Sequence, residues 1–498
     1  MIELLVSAAE AAPDRPAVVR GDERVTYSEL LDKTERLAAG LAASGIGPGD
    51  PVAVLLPNTA AFVTSFFAIG GLGATVVPLN PRFKDAELEF YFRECGIRAV
   101  VATPRAVPSC VRIRERLGKT TPIVVAGGRH EGAVPFDDLL AESGGSLESR
   151  RDGDLLFQYS SGSTGRPKRV PRTASQLRAE ADAFVSTTGL TTEDVVLCAI
   201  PLFHAYGLGC CLAASVRSRS TLVLASEPQP VTLTRGELLD VIDREHVSVF
   251  PAVPFTLRLL AETTGSSELS NVRLCFSAGV ALPLTTFDAF VQRFGIPIRQ
   301  VYGCTETGAA TVNLEADPVA TARSVGRPIE NVEIRIVDDA GSALPPGHIG
   351  EIAISGPGMT RGYAGMDALN RHAFGSGAFL TGDRGRLDEE NRLFITGRTK
   401  LLIEAGGDKV DPIEVEDVLA VHPRVQEVVV VGVPGATESE ELIKAVVVPD
   451  GLCEERELIR FCRERLANYK VPHLVSFSDE IPRDAHGKIL RKYLIENL

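Results

Sequence analysis

The residues with the clearest capacity for chemistry lie in one run of hydroxyl groups and glycines that ends in a lysine. Residues 159–168 are Tyr-Ser-Ser-Gly-Ser-Thr-Gly-Arg-Pro-Lys. Glycines let backbone amides converge on an oxyanion, the hydroxyls add donors, and the lysine adds positive charge. The run lacks the Gly-x-x-x-x-Gly-Lys-Ser/Thr spacing of a Walker A loop. It therefore predicts a phosphate-binding loop of another type, and a flexible surface loop is the alternative.

A second segment, residues 301–308, follows an apparent strand and is Val-Tyr-Gly-Cys-Thr-Glu-Thr-Gly. The ring of Tyr302 can stack on a nucleobase, and Thr305 can bond a phosphate. Glu306 can hold Mg²⁺, a hard ion that prefers oxygen ligands. These residue types predict contacts with a nucleotide and a metal, although a strand that ends in a glycine turn explains the segment as well.

Three later segments carry charged residues on loops. Asp383, within residues 381–385, is a natural bidentate acceptor for ribose hydroxyls, and the guanidinium of Arg398 can reach the same ribose and a phosphate. Lys488, beside a glycine within residues 482–492, would on its own be a solvated surface charge. All five segments suit nucleotide chemistry, and their order along the chain makes that interpretation stronger than any segment does alone.

The elements around these segments alternate between helix and strand. Residues 26–29 have capping-box spacing and open an amphipathic helix, and residues 52–56 have the pattern of a buried strand. Strands that alternate with helices predict an α/β fold with a largely parallel, helix-covered sheet. Short strands and Gly/Pro turns from about residue 325 to 395 predict a small β-rich subdomain. The residues beyond 397 predict a third unit of strands and a helix.

Length and composition narrow the class of protein. A chain of 498 residues exceeds what one hydrophobic core organises, so two or more domains are expected. The net charge of −13, without a block of like charges, argues against a nucleic-acid binder. The first residues lack a signal-peptide pattern, and no apolar run reaches the roughly 20 residues of a membrane span. Nine scattered cysteines suit a reduced compartment, so we expect a cytoplasmic protein.

Together the five segments resemble the adenylate-forming superfamily of acyl-CoA synthetases, firefly-type luciferases and peptide-synthetase adenylation domains, and acyl- or aryl-CoA synthetases most of all. The likeness extends from the helix at Thr26 to Lys488. It implies a large N-terminal domain of helix-covered mixed or parallel sheets, a small β-barrel-like subdomain, and a small mobile α+β domain. The implied bounds are 1–397 for the N-terminal domain (about 325–397 for its β-rich subdomain), 398–401 for a hinge, and 402–498 for the C-terminal domain.

The resemblance also implies ATP, Mg²⁺ and coenzyme A as cofactors and a carboxylic acid as substrate. In this family the lysine matching Lys488 bridges the substrate carboxylate and the α-phosphate, where a cation offsets the repulsion between like charges. The catalytic residues so implied are Lys488, Thr164, Glu306 and His204, with Glu306 as the metal ligand. The nucleotide- and cofactor-binding residues so implied are Ser160, Ser161, Gly162, Ser163, Thr164, Gly165, Lys168, Gly279, Gln300, Tyr302, Gly303, Thr305, Asp383, Arg398 and Gly407.

The resemblance further implies that the C-terminal domain rotates about Lys400 between two half-reactions. Its second orientation would use residues 404–410 to build the site for the thiol. That thiol is expected to belong to coenzyme A or to the phosphopantetheine of a separate carrier protein. The expected oligomeric state is a monomer or a homodimer.

The segment around His204 (Pro-Leu-Phe-His-Ala-Tyr-Gly) resembles the family's segment beside the substrate carboxylate. Amino-acid-activating relatives carry an aspartate there, so a histidine argues against an α-amino acid; a packed side chain is the alternative role. Small residues at family pocket positions, together with the absence of tryptophan, favour an aryl, polycyclic or fatty acid over acetate or propionate. These small residues are Gly207, Gly209, Cys210, Cys211, Ala213, Ala214, Ala278, Gly279, Ala309 and Ala310.

Three positions depart from the family pattern. Arg169 and Ala174 stand where relatives usually carry glycine and histidine, and Leu401 stands where many carry an acidic residue. Arg169 would either add a phosphate contact or crowd the nucleotide. Crowding would leave an enzyme that only thioesterifies a pre-made acyl-adenylate. Two further reactions stay open for a protein of this family: loading of a carrier protein and formation of an amide.

Overall fold

The computed structural model describes residues 1–141, 145, 147, 153–160, 167–225, 231–263, 269–398, 403–405, 408–410, 412–435, 441–466, 468–483 and 489–497. In chain order the strands are β1 (Pro16–Arg20), β2 (Glu23–Thr26), β3 (Pro51–Leu55), β4 (Thr75–Pro78), β5 (Ala99–Ala102), β6 (Ile123–Val125), β7 (Val134–Pro135), β8 (Asp154–Ser160), β9 (Lys168–Thr173), β10 (Val195–Cys198), β11 (Thr221–Leu224), β12 (Val249–Ala252), β13 (Leu274–Ser277), β14 (Ile298–Cys304), β15 (Gly308–Val312), β16 (Arg327–Pro328), β17 (Glu333–Val337), β18 (Gly350–Ser355), β19 (Phe379–Leu387), β20 (Leu393–Arg398), β21 (Ile403–Ala405), β22 (Asp408–Val410), β23 (Val425–Pro434), β24 (Glu441–Pro449) and β25 (Leu474–Phe477).

The helices, in the same order, are α1 (Ile2–Ala11), α2 (Tyr27–Ala43), α3 (Ala60–Gly71), α4 (Asp85–Cys95), α5 (Val107–Arg116), α6 (Phe136–Leu139), α7 (Ala174–Thr188), α8 (Ala214–Ser218), α9 (Val231–Arg244), α10 (Pro254–Ala261), α11 (Leu284–Phe294), α12 (Asp367–Ala373), α13 (Pro412–Ala420), α14 (Glu455–Arg463) and α15 (Arg491–Asn497). A π-helical segment, Gly207–Ala213, precedes α8, and a short 3-10 helix spans Asn468–Lys470. Within the part of the chain described above, no helix combines the length and the apolar character needed to cross a membrane.

Two large sheets form the N-terminal part of the molecule. One has nine strands in the order β16-β15-β14-β13-β12-β10-β11-β1-β2, parallel from β14 to β1 and antiparallel at both edges. The other has seven strands in the order β7-β6-β5-β3-β4-β8-β9, and only the β8–β9 pair is antiparallel. The predicted α/β fold with helix-covered, largely parallel sheets is therefore confirmed.

The main core lies between these two sheets. Helix α3 has ten of its 12 residues buried, and its side chains share one apolar cluster with residues of both sheets. Helix α2 begins where the sequence predicts, because the Thr26 hydroxyl accepts from the Glu29 amide and the Glu29 carboxylate accepts from the Thr26 amide. An all-round apolar helix such as α3 is stable only when other elements cover it on every side, and the two sheets provide that cover.

The β-rich subdomain and the C-terminal unit follow. Strands β17, β18, β19 and β20 form a four-stranded antiparallel sheet, as expected for the subdomain. Beyond it, β23, β24 and β25 form a three-stranded sheet that packs with α13, α14 and α15, so the small α+β unit is confirmed as well. The residue bounds of the domains stay a prediction, and the hinge residues Lys400 and Leu401 lie outside the described residues.

Candidate active site

The predicted phosphate-binding loop connects two antiparallel strands. Ser160 ends β8, Lys168 begins β9, and the two residues are paired in register. The loop therefore leaves and rejoins the sheet at one point, which holds its two ends together. The residues between them that are predicted to bind phosphate, Ser161, Gly162, Ser163, Thr164 and Gly165, lie outside the described residues, as do Gly407 and Lys488.

Lys168, at the end of this loop, and Glu306, the predicted metal ligand, both contact the side chain of Tyr363. The Lys168 ammonium is 4.6 Å from the centre of the Tyr363 ring, and the Tyr363 hydroxyl donates to Glu306 Oε1 at 2.8 Å. Burial raises the pKa of Tyr363 well above its usual range, and the nearby Glu306 raises it further. Tyr363 therefore stays a hydrogen-bond donor at every physiological pH.

The candidates for binding adenine and ribose also lie together. The Tyr302 hydroxyl, in β14, donates to Asp383 Oδ2 at 2.7 Å. Burial, followed by the charge of Asp383, raises the pKa of Tyr302 well above its usual range. Asp383 in β19 is directly paired with Arg398 in β20, so the two predicted ribose residues are neighbours across one antiparallel ladder.

The segment after Tyr302 turns sharply, and its glycine is required. A Cβ on Gly303 would lie 2.2 Å from the carbonyl oxygen of Gly308, where the chain folds back from β14 into β15. Thr305 and Glu306 lie in this turn. The backbone amide of Thr360 donates to the Glu306 carbonyl oxygen at 2.8 Å, which fixes the turn against the segment that leads to Tyr363.

Two other predicted binding residues have different surroundings. Gln300 is buried, and its side-chain amide donates to the carbonyl oxygens of Ala322 and Ser324, which ties β14 to the following turn. Gly279 has a φ of +90°, and its nearest non-neighbouring atom would be 3.8 Å from a Cβ. A side chain at position 279 would therefore be in ordinary van der Waals contact with Val253. A contact between Gly279 and a ligand stays a prediction, as does one from Gln300.

His204 lies just before the π-helical segment and is partly exposed. Its Nδ1 accepts a hydrogen bond from the Tyr206 amide at 3.3 Å. Because a neutral imidazole carries one proton, an accepting Nδ1 places that proton on Nε2. His204 can therefore act as a donor from Nε2 toward an oxygen of a bound acid.

Arg169 faces away from Lys168, as neighbouring residues of a strand do. Its guanidinium forms an ion pair with the Glu94 carboxylate of α4 at 3.4 Å and lies 4.8 Å from the centre of the Phe157 ring. Both partners belong to the opposite face of the seven-stranded sheet from Tyr363. In this structure the Arg169 side chain packs between β9 and α4, away from the Lys168 face.

We expect Arg169→Met to leave the KM for ATP unchanged and to lower the free energy of unfolding by about 0.2–1 kcal/mol, the range for an exposed or partly exposed ion pair. The physical reason is that Glu94, and not the nucleotide, is the partner of the Arg169 guanidinium. Initial rates over a range of ATP concentrations and a thermal melt check both parts. A several-fold change in the KM for ATP at unchanged stability would contradict this placement.

Comparison with known proteins shows the family of this chain. Residues 5–364 match the family model of AMP-binding enzymes, and residues 414–488 match that of the AMP-binding enzyme C-terminal domain. A feruloyl-CoA synthase of Amycolatopsis sp. is 34% identical over 493 residues, with 98% of this chain and 96% of that protein covered. The oxalate–CoA ligase of Arabidopsis thaliana is 31% identical over 508 residues, with 99% and 98% covered.

Solved structures of other proteins are similar to this chain over nearly its whole length. ATP-bound MatB from Rhodopseudomonas palustris has a TM-score of 0.91 at 27% identity, covering 99% of this chain and 98% of that one. The o-succinylbenzoate CoA synthetase MenE of Bacillus subtilis, in complex with its acyl-adenylate intermediate, has a TM-score of 0.86 at 30% identity, with 99% and 98% covered.

These matches place the chain in the AMP-binding enzyme family of adenylate-forming proteins. Within that family it is an AMP-forming acid–CoA ligase, an ATP-dependent enzyme. The predicted family, fold and enzyme class are thereby confirmed.

Proposed function

We propose that this ligase activates an aryl acid, or another acid bulkier than acetate, as its acyl-adenylate and transfers the acyl group to coenzyme A. The observation that carries the proposal is that two hydrogen-bonded pairs each include a residue of the same strand and turn. Tyr302–Asp383 and Tyr363–Glu306 both involve the segment from β14 into β15. A group that contacts adenosine through the first pair would have its phosphates directed toward the second.

The roles of the individual residues follow from their chemistry. Asp383 and Arg398 would hold the ribose, and Tyr302 would lie against the adenine. Lys168 would balance charge on the phosphates, together with the hydroxyl groups and amides of Ser160 to Gly165. Thr305 would bond the α-phosphate, and Gly279, Gln300 and Gly407 complete the proposed binding set.

Mg²⁺ suits the residues around Glu306. The Glu306 residue is 6% exposed, and the Tyr363 hydroxyl engages its Oε1. One protein carboxylate together with phosphate oxygens and waters is a usual donor set for this ion. When bound there, Mg²⁺ would neutralise charge on the phosphate oxygens that leave as pyrophosphate.

The reaction has two steps. A carboxylate oxygen of the acid attacks the α-phosphorus of ATP, and pyrophosphate leaves. The sulfur of coenzyme A then attacks the acyl carbon, loses its proton, and displaces AMP, which keeps the attacking oxygen. Lys488 would offset the repulsion in the first step, and the Nε2–H of His204 would donate to the bound carboxylate.

Three observations support an aryl or similarly bulky acid. Ala309 and Ala310 are small side chains in β15, next to the segment of the nucleotide candidates. The chain has no tryptophan to close an acyl site. Its relatives include proteins named for feruloyl, 4-coumarate and 2-succinylbenzoate substrates.

A screen of pooled carboxylic acids with ATP and Mg²⁺, with and without coenzyme A, tests the proposal by mass spectrometry of the products. We expect an aryl acyl-CoA when coenzyme A is present and the matching acyl-adenylate when it is absent. A thioester formed only with a phosphopantetheinylated carrier protein would identify a carrier-loading enzyme instead. An amide formed only with an added amine would identify an amide-forming ligase.

A further inference from the structure

The active-site side of strand β9 carries a buried ion pair that the proposed reaction does not use. Arg172 in β9 and Glu180 in α7 form a contact of 2.7 Å between Nη1 and Oε2, and their side chains are 1% and 2% exposed. Arg172 Nη2 also donates to the carbonyl oxygen of Gly358 at 2.8 Å. Glu180 Oε1 accepts from the backbone amide of Ala309 at 3.1 Å. The pair therefore bonds to two further segments of the chain.

The Glu180 carboxylate occupies the space between the π-helical segment and β15. A Cβ on Gly209 would lie 2.3 Å from Glu180 Oε1, and a Cβ on Gly308 would lie 2.1 Å from its Cδ. Both positions therefore require glycine, because this carboxylate packs directly against their backbone. Gly209 belongs to the π-helical segment, whose small residues stand at pocket positions by family resemblance. Gly308 begins β15, whose two alanines support the proposed acyl site.

We propose that the Arg172–Glu180 pair forms the far wall of the acyl site and sets the largest acid that the enzyme accepts. The inference rests on the proposed function and narrows it. The Glu180 carboxylate fills the volume that Gly209 and Gly308 would otherwise leave open. The favoured substrates are then single-ring aryl acids and aliphatic acids of comparable length, in preference to polycyclic acids and long fatty acids.

The chemistry of the pair makes this wall rigid. A methionine or leucine wall can repack around a longer ligand. By contrast, moving Glu180 aside would leave the Arg172 guanidinium buried without its counter-ion, which is strongly unfavourable. The hydrogen bonds to Ala309 and Gly358 hold both ends of the pair in place. Glu180 and Arg172 are thus specificity-determining residues, with no part in the bond-making steps.

The experiment is a profile of kcat/KM over straight-chain acids from butyrate to dodecanoate, together with benzoate and 2-naphthoate. The test variant is Arg172→Met/Glu180→Ala, which removes both charges and opens the wall. Its matched control is Arg169→Met/Glu94→Ala, which removes the ion pair between α4 and the opposite face of the same strand. Glu180→Asp, which keeps both charges and retracts the carboxylate by one methylene, is a second test variant that retains the ion pair.

In the wild type we expect kcat/KM to fall at least about tenfold from the best acid to dodecanoate, because a closed site discriminates against surplus methylenes by that factor or more. Both test variants should shift the optimum to longer acids, the double variant further than Glu180→Asp, while the control keeps the wild-type profile. A wild type that uses dodecanoate and 2-naphthoate as well as shorter acids would overturn the inference. So would an unshifted profile in Glu180→Asp or in a folded double variant. A wild type that forms no thioester from any acid would instead contradict the proposed function.

Discussion

Replacing Lys488 with alanine is expected to slow adenylate formation by about 10²-fold or more and to leave thioester formation from a synthetic acyl-adenylate nearly unchanged. The attack of a carboxylate on a phosphate brings two anions together, and this lysine is the proposed cation between them. Thioester formation starts from an adenylate in which that repulsion has already been overcome. Lys488 lies outside the described residues, directly before Ile489, which forms an antiparallel bridge with Arg483.

The two half-reactions need separate assays for this prediction. Exchange of pyrophosphate into ATP reports adenylate formation, and release of AMP from synthetic acyl-adenylate plus coenzyme A reports the second step. Lys470→Ala is a matched control in the same C-terminal unit, because Lys470 contacts the Glu414 carboxylate at 2.6 Å. It should leave both rates near those of the wild type. Equal losses of the two half-reactions in Lys488→Ala would contradict a role confined to the first step.

Glu306→Gln is expected to lower the rate of adenylate formation by about 10²-fold and to raise the Mg²⁺ concentration needed for half-maximal activity. Glutamine has the shape of glutamate and can still accept from the Tyr363 hydroxyl, so the turn should keep its structure. It lacks the negative charge that a metal ligand contributes. The rate at saturating ATP, measured over a wide range of Mg²⁺ concentrations, checks both effects.

Tyr363→Phe tests how much the orientation of the Glu306 side chain contributes to activity, apart from its charge. This variant removes the hydrogen bond of 2.8 Å to Glu306 and keeps the ring beside Lys168. We expect a loss of roughly 10-fold, the lower end of the range for one hydrogen bond to a charged group, with a much smaller change in Mg²⁺ dependence than in Glu306→Gln. If Glu306→Gln left the Mg²⁺ dependence unchanged, Glu306 would not be the metal ligand.

The order of elements could be predicted from the sequence because each signal is local. The capping box at Thr26 and the alternation of strands and helices are set by neighbouring residues, and both are confirmed. The structure also pairs Asp383 with Arg398 across one ladder, and their role at the ribose stays a prediction. Tyr363 could not be found in this way because it lies 57 residues from Glu306 in the chain and reaches it only through the tertiary fold.

The surroundings of Arg169 could have been predicted from strand geometry. Residues 168 and 169 are neighbours in β9, so their side chains must point to opposite faces. If Lys168 faces the phosphates, Arg169 faces elsewhere.

The buried pair could not have been predicted in the same way. Arg172 and Glu180 are residue types that are rarely buried, and they belong to different elements. Their burial depends on Gly209, Gly308 and Gly358, which come from three other segments. From the sequence alone, Gly209 is expected to leave volume for a ligand, whereas in the structure a carboxylate fills that space.

The most direct test of the account follows oxygen-18 from the carboxyl group of an accepted acid into the products of a complete reaction with ATP and coenzyme A. If the acid attacks the α-phosphorus and coenzyme A then displaces AMP, one carboxyl oxygen must leave with AMP. We expect AMP that carries a single oxygen-18 and pyrophosphate that carries none, measured by mass spectrometry. Label found in orthophosphate, or AMP without label, would contradict an acyl-adenylate on the pathway.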